Sequence, residues 1–308
     1  MSPIISLLLL FSLSTAHAAF SAEPINSTGP APYVSLPAPY ARESLLRDPT
    51  TGMAFVHVPG GCFQMGEKFG DSTSNEKPAH EVCLYSFSIG KYEVTVGEFR
   101  RFVDETGYLT DAEKGDGCNG WDGSSWGKKS SLSWKDLSFS QDDSYPVACV
   151  SWNDVTAYSC WLSQKSGRNY RLPTEAEWEF ACRSGGKDEK YCGGNNVDAV
   201  AWYNDNSGSK THPVGQKLPN ALGIYDMNGN VWEWVGDWFD KEYYGTSPRN
   251  NPKGPATGSY RIFRGGGWDT PLLNVRSTDR LGFFPVYRPD FMGFRLVIPS
   301  VRSVVCQR

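Results

Sequence analysis

Thirty-two glycines and 20 prolines are spread through a chain of 308 residues, and no other feature limits so firmly what it can fold into. Glycine adds backbone freedom that folding must remove, and proline lacks the N–H that a helix or a strand ladder needs. Long helices and wide regular sheets are therefore not expected. Short elements joined by turns remain, and 11 tryptophans supply large rings to fill the gaps between them. With 39% of residues hydrophobic, there is apolar material for one sizeable core, near the size at which single cores stop growing. The 30 Lys and Arg against 34 Asp and Glu give a formal net charge of -4. Both signs are interspersed and no basic run could track a phosphate backbone, so no nucleic-acid partner is expected.

Residues 1–18 read as a signal peptide. Ile4 to Leu13 form an apolar stretch broken only by serines, and Ala16-His17-Ala18 places small residues at the two positions a signal peptidase reads. No Lys or Arg precedes the stretch. It is shorter than the roughly 20 apolar residues that span a bilayer, and no later segment is long and apolar enough. A periplasmic or secreted protein, not membrane-spanning after cleavage, is expected. Residues 19–50, rich in Pro, Ser and Ala, read as a flexible leader, 51–300 as the folded domain and 301–308 as a C-terminal tail.

Eight cysteines, all beyond the signal segment, favour disulfides in an exported chain. The expected pairs are Cys62 with Cys83, Cys118 with Cys149 and Cys182 with Cys192, although spacing alone does not fix connectivity. Cys160 and Cys306 are left over, either paired or free. No Cys-x-x-Cys occurs, and His57, His80 and His212 lie far apart, so a zinc site is not expected.

Three helices have readable caps. Thr95 and Glu98 have capping-box spacing, Phe99, Phe102 and Val103 share a face, and Gly107 can end the helix in a left-handed conformation. Ser151 or Asn153 caps a second helix, in which Val155, Tyr158, Trp161 and Leu162 recur at helical spacing until Gly167. Thr174 and Glu177 form another capping box after Pro173. A strand is expected near Met53, where Phe55, His57 and Pro59 alternate with Val56 and Val58 before Gly60-Gly61.

Four ordered blocks then carry a resemblance. They are Val150 to Asp154 with Arg171-Leu172-Pro173-Thr174-Glu175-Ala176-Glu177-Trp178-Glu179, Asn228 to Trp234, Arg264-Gly265-Gly266-Gly267-Trp268, and Gly293-Phe294-Arg295. Together they resemble the signature of the formylglycine-generating enzyme (sulfatase-modifying factor) family across nearly the whole mature domain. The resemblance implies an α+β fold, a single domain related to C-type lectins and rich in irregular structure. In the active enzymes, two cysteines five positions apart follow the Arg-Gly-Gly-Ser block, bind copper and activate oxygen. Those positions fall here on Thr270 and Val275, and the serine of the block is Gly267. A hydroxyl and an isopropyl group are neither soft copper ligands nor redox-active, so copper is not expected.

The resemblance also implies a structural calcium site, with Asp226 and Glu233 ligating through side chains and Gly229 and Val231 through backbone oxygens. Hard oxygen donors around a glycine turn suit calcium. The alternative is that Asp226 and Glu233 hydrogen-bond the turn while Trp232 and Trp234 fill the core. The segment that lines the family's substrate groove presents Trp268, Asp269, Asn274, Arg276 and Arg280, a set able to hold a polar or peptide ligand by stacking and charge-assisted hydrogen bonds. Arg276 and Arg280 could equally form structural ion pairs. Trp121, Trp126 and Trp134 could stack on sugars or peptides, with packing as the default role.

Three functions follow. The chain could bind an envelope protein, peptide or small molecule with the old groove. It could be an oxidoreductase with altered chemistry, since the resemblance extends to periplasmic proteins of siderophore chromophore maturation and to iron-dependent sulfoxide synthases, although a clustered His set for iron is absent from the sequence. The third function, formylglycine generation itself, lacks its cysteine pair. Binding is favoured because a fold and the chemistry it once carried are separable.

Overall fold

The computed structural model describes residues 45–70 and 74–301. The expected signal peptide, nearly all of the leader and residues 302–308 of the tail lie outside them. In chain order the strands are β1 (Leu46–Arg47), β2 (Ala54–Val58), β3 (Gly61–Met65), β4 (His80–Leu84), β5 (Phe87–Gly90), β6 (Cys118–Trp121) and β7 (Trp126–Lys129). They continue with β8 (Ala201–Trp202), β9 (Asn228–Gly229), β10 (Trp232–Trp238), β11 (Arg261–Arg264), β12 (Arg280–Phe283), β13 (Met292–Phe294) and β14 (Val297–Pro299). The helices are α1 (Val96–Thr106), α2 (Asp111–Lys114), α3 (Trp152–Ser166), α4 (Glu175–Cys182) and α5 (Val197–Val200).

The expected helices are α1, α3 and α4. Thr95, Ser151 and Thr174 each close a reciprocal capping box with the residue three positions on, and Gly107 and Gly167 end α1 and α3 in the left-handed region. Ser151, not Asn153, is the cap of α3. Two further helices, α2 and α5, have only four residues each, too few to show a helical repeat. The alternation expected in β2 is absent: Phe55, Val56 and Val58 are all buried and only His57 is exposed. This strand lies between β1 and β5 and is covered on both faces. Because β1 pairs with β2 at Leu46 and Arg47, the folded part also begins inside the segment expected to be leader.

Two four-stranded sheets organise the fold, in the orders β1-β2-β5-β14 and β12-β11-β10-β13. The first is antiparallel throughout. In the second, β10 and β13 run parallel, with Glu233 opposite Gly293 and Trp234 opposite Phe294. One cluster of buried rings, including Phe99, Tyr158, Trp234 and Phe294, joins α1 and α3 to the second sheet. Another, including Phe63, Trp178, Phe180 and Val235, packs α4 against β3, β4 and β10. The described residues form one compact unit, an α+β domain with few helices and much irregular chain.

The three expected disulfides are present, with Cα separations of 4.0 Å for Cys62–Cys83, 5.7 Å for Cys118–Cys149 and 4.7 Å for Cys182–Cys192. The first joins residues directly opposite each other on β3 and β4. Cys160 is also disulfide-bonded, and Cys306 lies outside the described residues.

Candidate functional site

Two loops are latched together at the centre of the domain. Gly265 adopts φ +99°, and a Cβ there would come within 2.9 Å of the Met227 carbonyl and 3.0 Å of the Trp178 ring, so only glycine fits this approach. Its carbonyl accepts from the Gly229 amide at 3.0 Å and from Asn228 Nδ2 at 3.3 Å. The Trp268 amide donates to the Asn230 carbonyl at 2.8 Å. The Arg-Gly-Gly-Gly block and the loop from Asp226 to Glu233 thus position each other.

Thr270 and Val275 are both enclosed. Thr270 Oγ1 accepts from Trp232 Nε1 and from the Gly267 amide, each at 2.8 Å, and donates toward Asp269 at 3.4 Å. Val275 is fully buried among Tyr191, Val200, Ala201 and Tyr203. A hydroxyl that fixes a turn and an isopropyl group in an apolar cluster do structural work, and neither offers a redox ligand.

Arg276 and Arg280 do not face a groove. Arg276 makes a bidentate pair with Glu76 at 2.6 and 2.7 Å, and Arg280 one with Glu175 at 2.7 and 2.8 Å. Both guanidinium groups are buried. Arg264 joins the Arg280 pair through Glu175 at 3.6 Å and makes its own pair with Glu179 at 2.5 Å. Of the two readings of these arginines, the ion pairs are what the fold contains. Their bidentate partners, Glu76 and Glu175, come from remote segments, so no local pattern marks them. Asn274 is half-buried and donates to Asp279 at 3.3 Å, which also turns it inward.

Around the loop from Asp226 to Glu233, three buried acids surround one arginine. Arg295 Nε and Nη2 donate to the Glu233 carboxylate at 2.7 Å each, and its remaining N–H groups reach the carbonyls of Gly90 and Tyr225 at 3.0 Å. Trp178 Nε1 also donates to Glu233, at 2.9 Å. Asp226, at φ +55°, accepts from the Gly215 amide at 2.6 Å. Neither acid bonds its own turn, contrary to the simpler of the two expectations, although Trp232 and Trp234 do fill the core. The third acid, Glu93, was missed from sequence; it accepts from Asn230 Nδ2 at 2.8 Å and the Val231 amide at 3.2 Å. Burial, then the charges of Asp226 and Glu233, push the Glu93 carboxyl well above its usual range. Burial raises Asp226 to about 6.

The indoles divide by role. Trp134 is core, whereas Trp121 and Trp126 are each 46% exposed. Trp121, Phe139 and Trp268 wall a cleft of about 720 Å³, with the Phe139 and Trp268 rings edge to face at 5.5 Å. Half-buried Asp269 stands beside Thr270, and burial lifts its carboxyl to about 6. Asp290, which no sequence pattern marked, is fully buried, and neither of its carboxyl oxygens has a hydrogen-bond partner. Burial, reinforced by the charge of Asp269 and opposed by the nearby backbone amides of Trp121 and Asp290, which stand outside hydrogen-bond geometry, raises it to about 7. Burial, followed by the charges of both acids, raises Tyr287. His212 stacks on Trp202 at 3.8 Å and His80 packs against Tyr244. Among the described residues, no three His, Cys, Asp or Glu side chains converge as a metal site.

Residues 42–300 match the family described as "Sulfatase-modifying factor enzyme 1-like domain". The formylglycine-generating enzyme of Streptomyces coelicolor is 34% identical over 299 residues, covering 84% of this chain and 91% of that protein. The inactive C-alpha-formylglycine-generating enzyme 2 of Mus musculus is 33% identical, over 79% of this chain and 84% of its own length. Among solved structures, PvdO from Pseudomonas aeruginosa superposes with a TM-score of 0.70 at 29% identity, covering 83% of this chain and 98% of that one.

Proposed function

The chain belongs to the sulfatase-modifying factor family, and from that premise we propose that it is an exported member that binds a ligand rather than one that generates formylglycine. The observation that carries this reading is the pair of positions assigned by resemblance to the copper-binding cysteines. They hold Thr270, whose hydroxyl ties a turn together, and Val275, sealed in an apolar cluster. Without thiolates there is no soft site for cuprous copper and no sulfur to take part in oxygen chemistry. Similarity to a relative called inactive supports the same direction. Incubated with copper and a sulfatase-derived cysteine peptide, the purified protein is expected to give no peptide aldehyde above the protein-free blank by mass spectrometry. Aldehyde formed at turnover would overturn the reading.

Export is supported by the apolar stretch from Ile4 to Leu13, by Ala16-His17-Ala18, and by disulfides that persist in oxidising compartments. No helix among the described residues is long and apolar enough to cross a membrane. The ligand would be an envelope protein, a peptide or a small molecule. A second reading, oxidoreductase chemistry of another kind, draws on Asp269, a half-buried carboxyl raised to about 6 beside Thr270. Such a group can hold or release a proton near neutral pH.

Structural calcium forms part of the proposal. Among the described residues, Glu93, Asp226 and Glu233 are buried around the single charge of Arg295, so full ionisation would leave two negative charges, the complement of one divalent cation. Oxygen donors are the type calcium takes. Asp226 and Glu233, with the carbonyls of Gly229 and Val231, would hold it, Glu233 sharing its carboxylate with Arg295 and Trp178, while Glu93 stays bound to Asn230 and the Val231 amide as a nearby charge. Calcium held there would neutralise the buried acids and brace the loop against the Gly265 turn. Chelation is expected to lower Tm by roughly 5–10 °C, with recovery on adding calcium. An unchanged Tm, with no calcium in elemental analysis of protein purified without chelators, would remove the ion from the proposal.

A further inference from the structure

The geometry points to an organic-cation site: we propose that the cleft walled by Trp121, Phe139 and Trp268 binds an ammonium or guanidinium group, carried by a small molecule or a peptide side chain, with the carboxyl groups of Asp290, behind Leu132, and of Asp269, next in sequence to Trp268, as counter-charge. This rests on the binding reading above and names the ligand's chemistry. Aromatic faces attract cations that come within about 6 Å of the ring centroid, and the 46% exposure of Trp121 leaves its ring accessible. No Lys, Arg or His lines the cleft, whereas Asp122 and Asp136 do. Lys129 already holds Asp122 at 2.6 Å, and Lys128 is paired with Asp116 at 2.8 Å. Asp136 and the two deeper acids therefore set the sign of the local field.

Asp290 is the observation that calls for a ligand. A fully buried carboxyl group with both oxygens unpartnered is a state that folds rarely keep. Its backbone amide is anchored to the Asn119 carbonyl at 2.8 Å. Its carboxyl group lies against Gly120, where a Cβ would stand 2.7 Å from both Asp290 Oδ2 and Leu132 Cδ1. Leu132 lines the cleft, so the Asp290 carboxyl group and the cleft wall meet at Gly120. A cation seated between the rings would reach Asp290 past the Leu132 side chain. On the other flank, Trp268 Nε1 donates to the Asp290 carbonyl at 3.4 Å, so one residue supplies a wall and braces the acid. The hydroxyl groups of Ser131, Ser138 and Ser209 line the same space and accept the remaining N–H groups of such a ligand.

The test is calorimetry on the mature protein at pH 8, above the values to which burial raises both acids. Benzylamine, tyramine and agmatine are compared with benzyl alcohol and 4-ethylphenol, which are neutral. The amines are expected to bind at least about tenfold more tightly than the neutral compounds. Asp290→Asn and Asp269→Asn should each remove most of that preference while the thermal transition persists. Trp121→Ala, on the exposed wall, should weaken amine binding without risk to the core. Equal binding of amines and neutral compounds, or a preference that survives both Asp→Asn changes, would overturn the site. Failure of every probe would overturn it too, while a blank aldehyde assay would leave the binding reading standing. A response to divalent metal with none to amines would reassign the two acids and reject the proposal.

Discussion

An Arg295→Met variant is expected to lose about 3–5 kcal/mol of stability, the cost of leaving buried charge without its partner, and to be recovered largely unfolded if the parent is only marginally stable. Arg295 has no exposed surface and donates to both oxygens of Glu233 and to the carbonyls of Gly90 and Tyr225. Its removal strips the counter-charge from Glu233 and from nearby Glu93 and Asp226. Urea denaturation followed by tryptophan fluorescence reads the loss directly, since Trp178 donates to the same carboxylate. Adding Glu233→Gln to Arg295→Met should recover part of it, because removing both charges leaves less uncompensated than removing one. A single variant within about 1 kcal/mol of the parent would show that this arginine holds little of the fold together.

An Asp237→Asn variant is expected to be more stable than the parent at pH 8 by on the order of 2–4 kcal/mol and close to it at pH 4. Burial, followed by the charge of Glu175, raises the Asp237 carboxyl to about 8 from a usual 3.8. Between those values the folded protein holds a proton that the unfolded chain releases. The contribution to stability is therefore fully present below pH 3.8 and is lost as pH rises toward 8. Asparagine copies the neutral acid and can still accept from the Glu175 amide, the 2.9 Å hydrogen bond that Asp237 makes. Chemical denaturation of both proteins at several pH values measures the crossover. Parallel stability curves across that range would mean that Asp237 ionises inside the fold without penalty.

Local chemistry was legible in the sequence, and chemistry at a distance was not. Thr95, Ser151 and Thr174 could be read as caps because both halves of each capping box lie within four residues. The disulfide pairs were expected correctly, and the ordered blocks gave the fold. Thr110 and Glu113 form an equally good capping box, but the helix they start is too short to repeat an apolar face. The partners of Arg276 and Arg280 are 200 and 105 residues away, so nothing near either arginine marked it as internal. Asp290 lies after Pro289 in a stretch without periodicity, and its neighbour Gly120 is brought to it only by the fold. In the candidate site, Trp268 and Asp269 could be picked out beside the Gly-rich block, while Phe139 and Asp290, contributed by other loops, could not.

The strands β13 and β14 are separated by only Arg295 and Leu296, yet each forms the outer edge of a different sheet. A growing polypeptide that has not yet emerged as far as residue 299 therefore has neither sheet finished, and Glu233 is still waiting for its arginine. Eight consecutive residues, 292–299, therefore complete both sheets and the buried ion pair together, which ties the two halves of the core to one short segment.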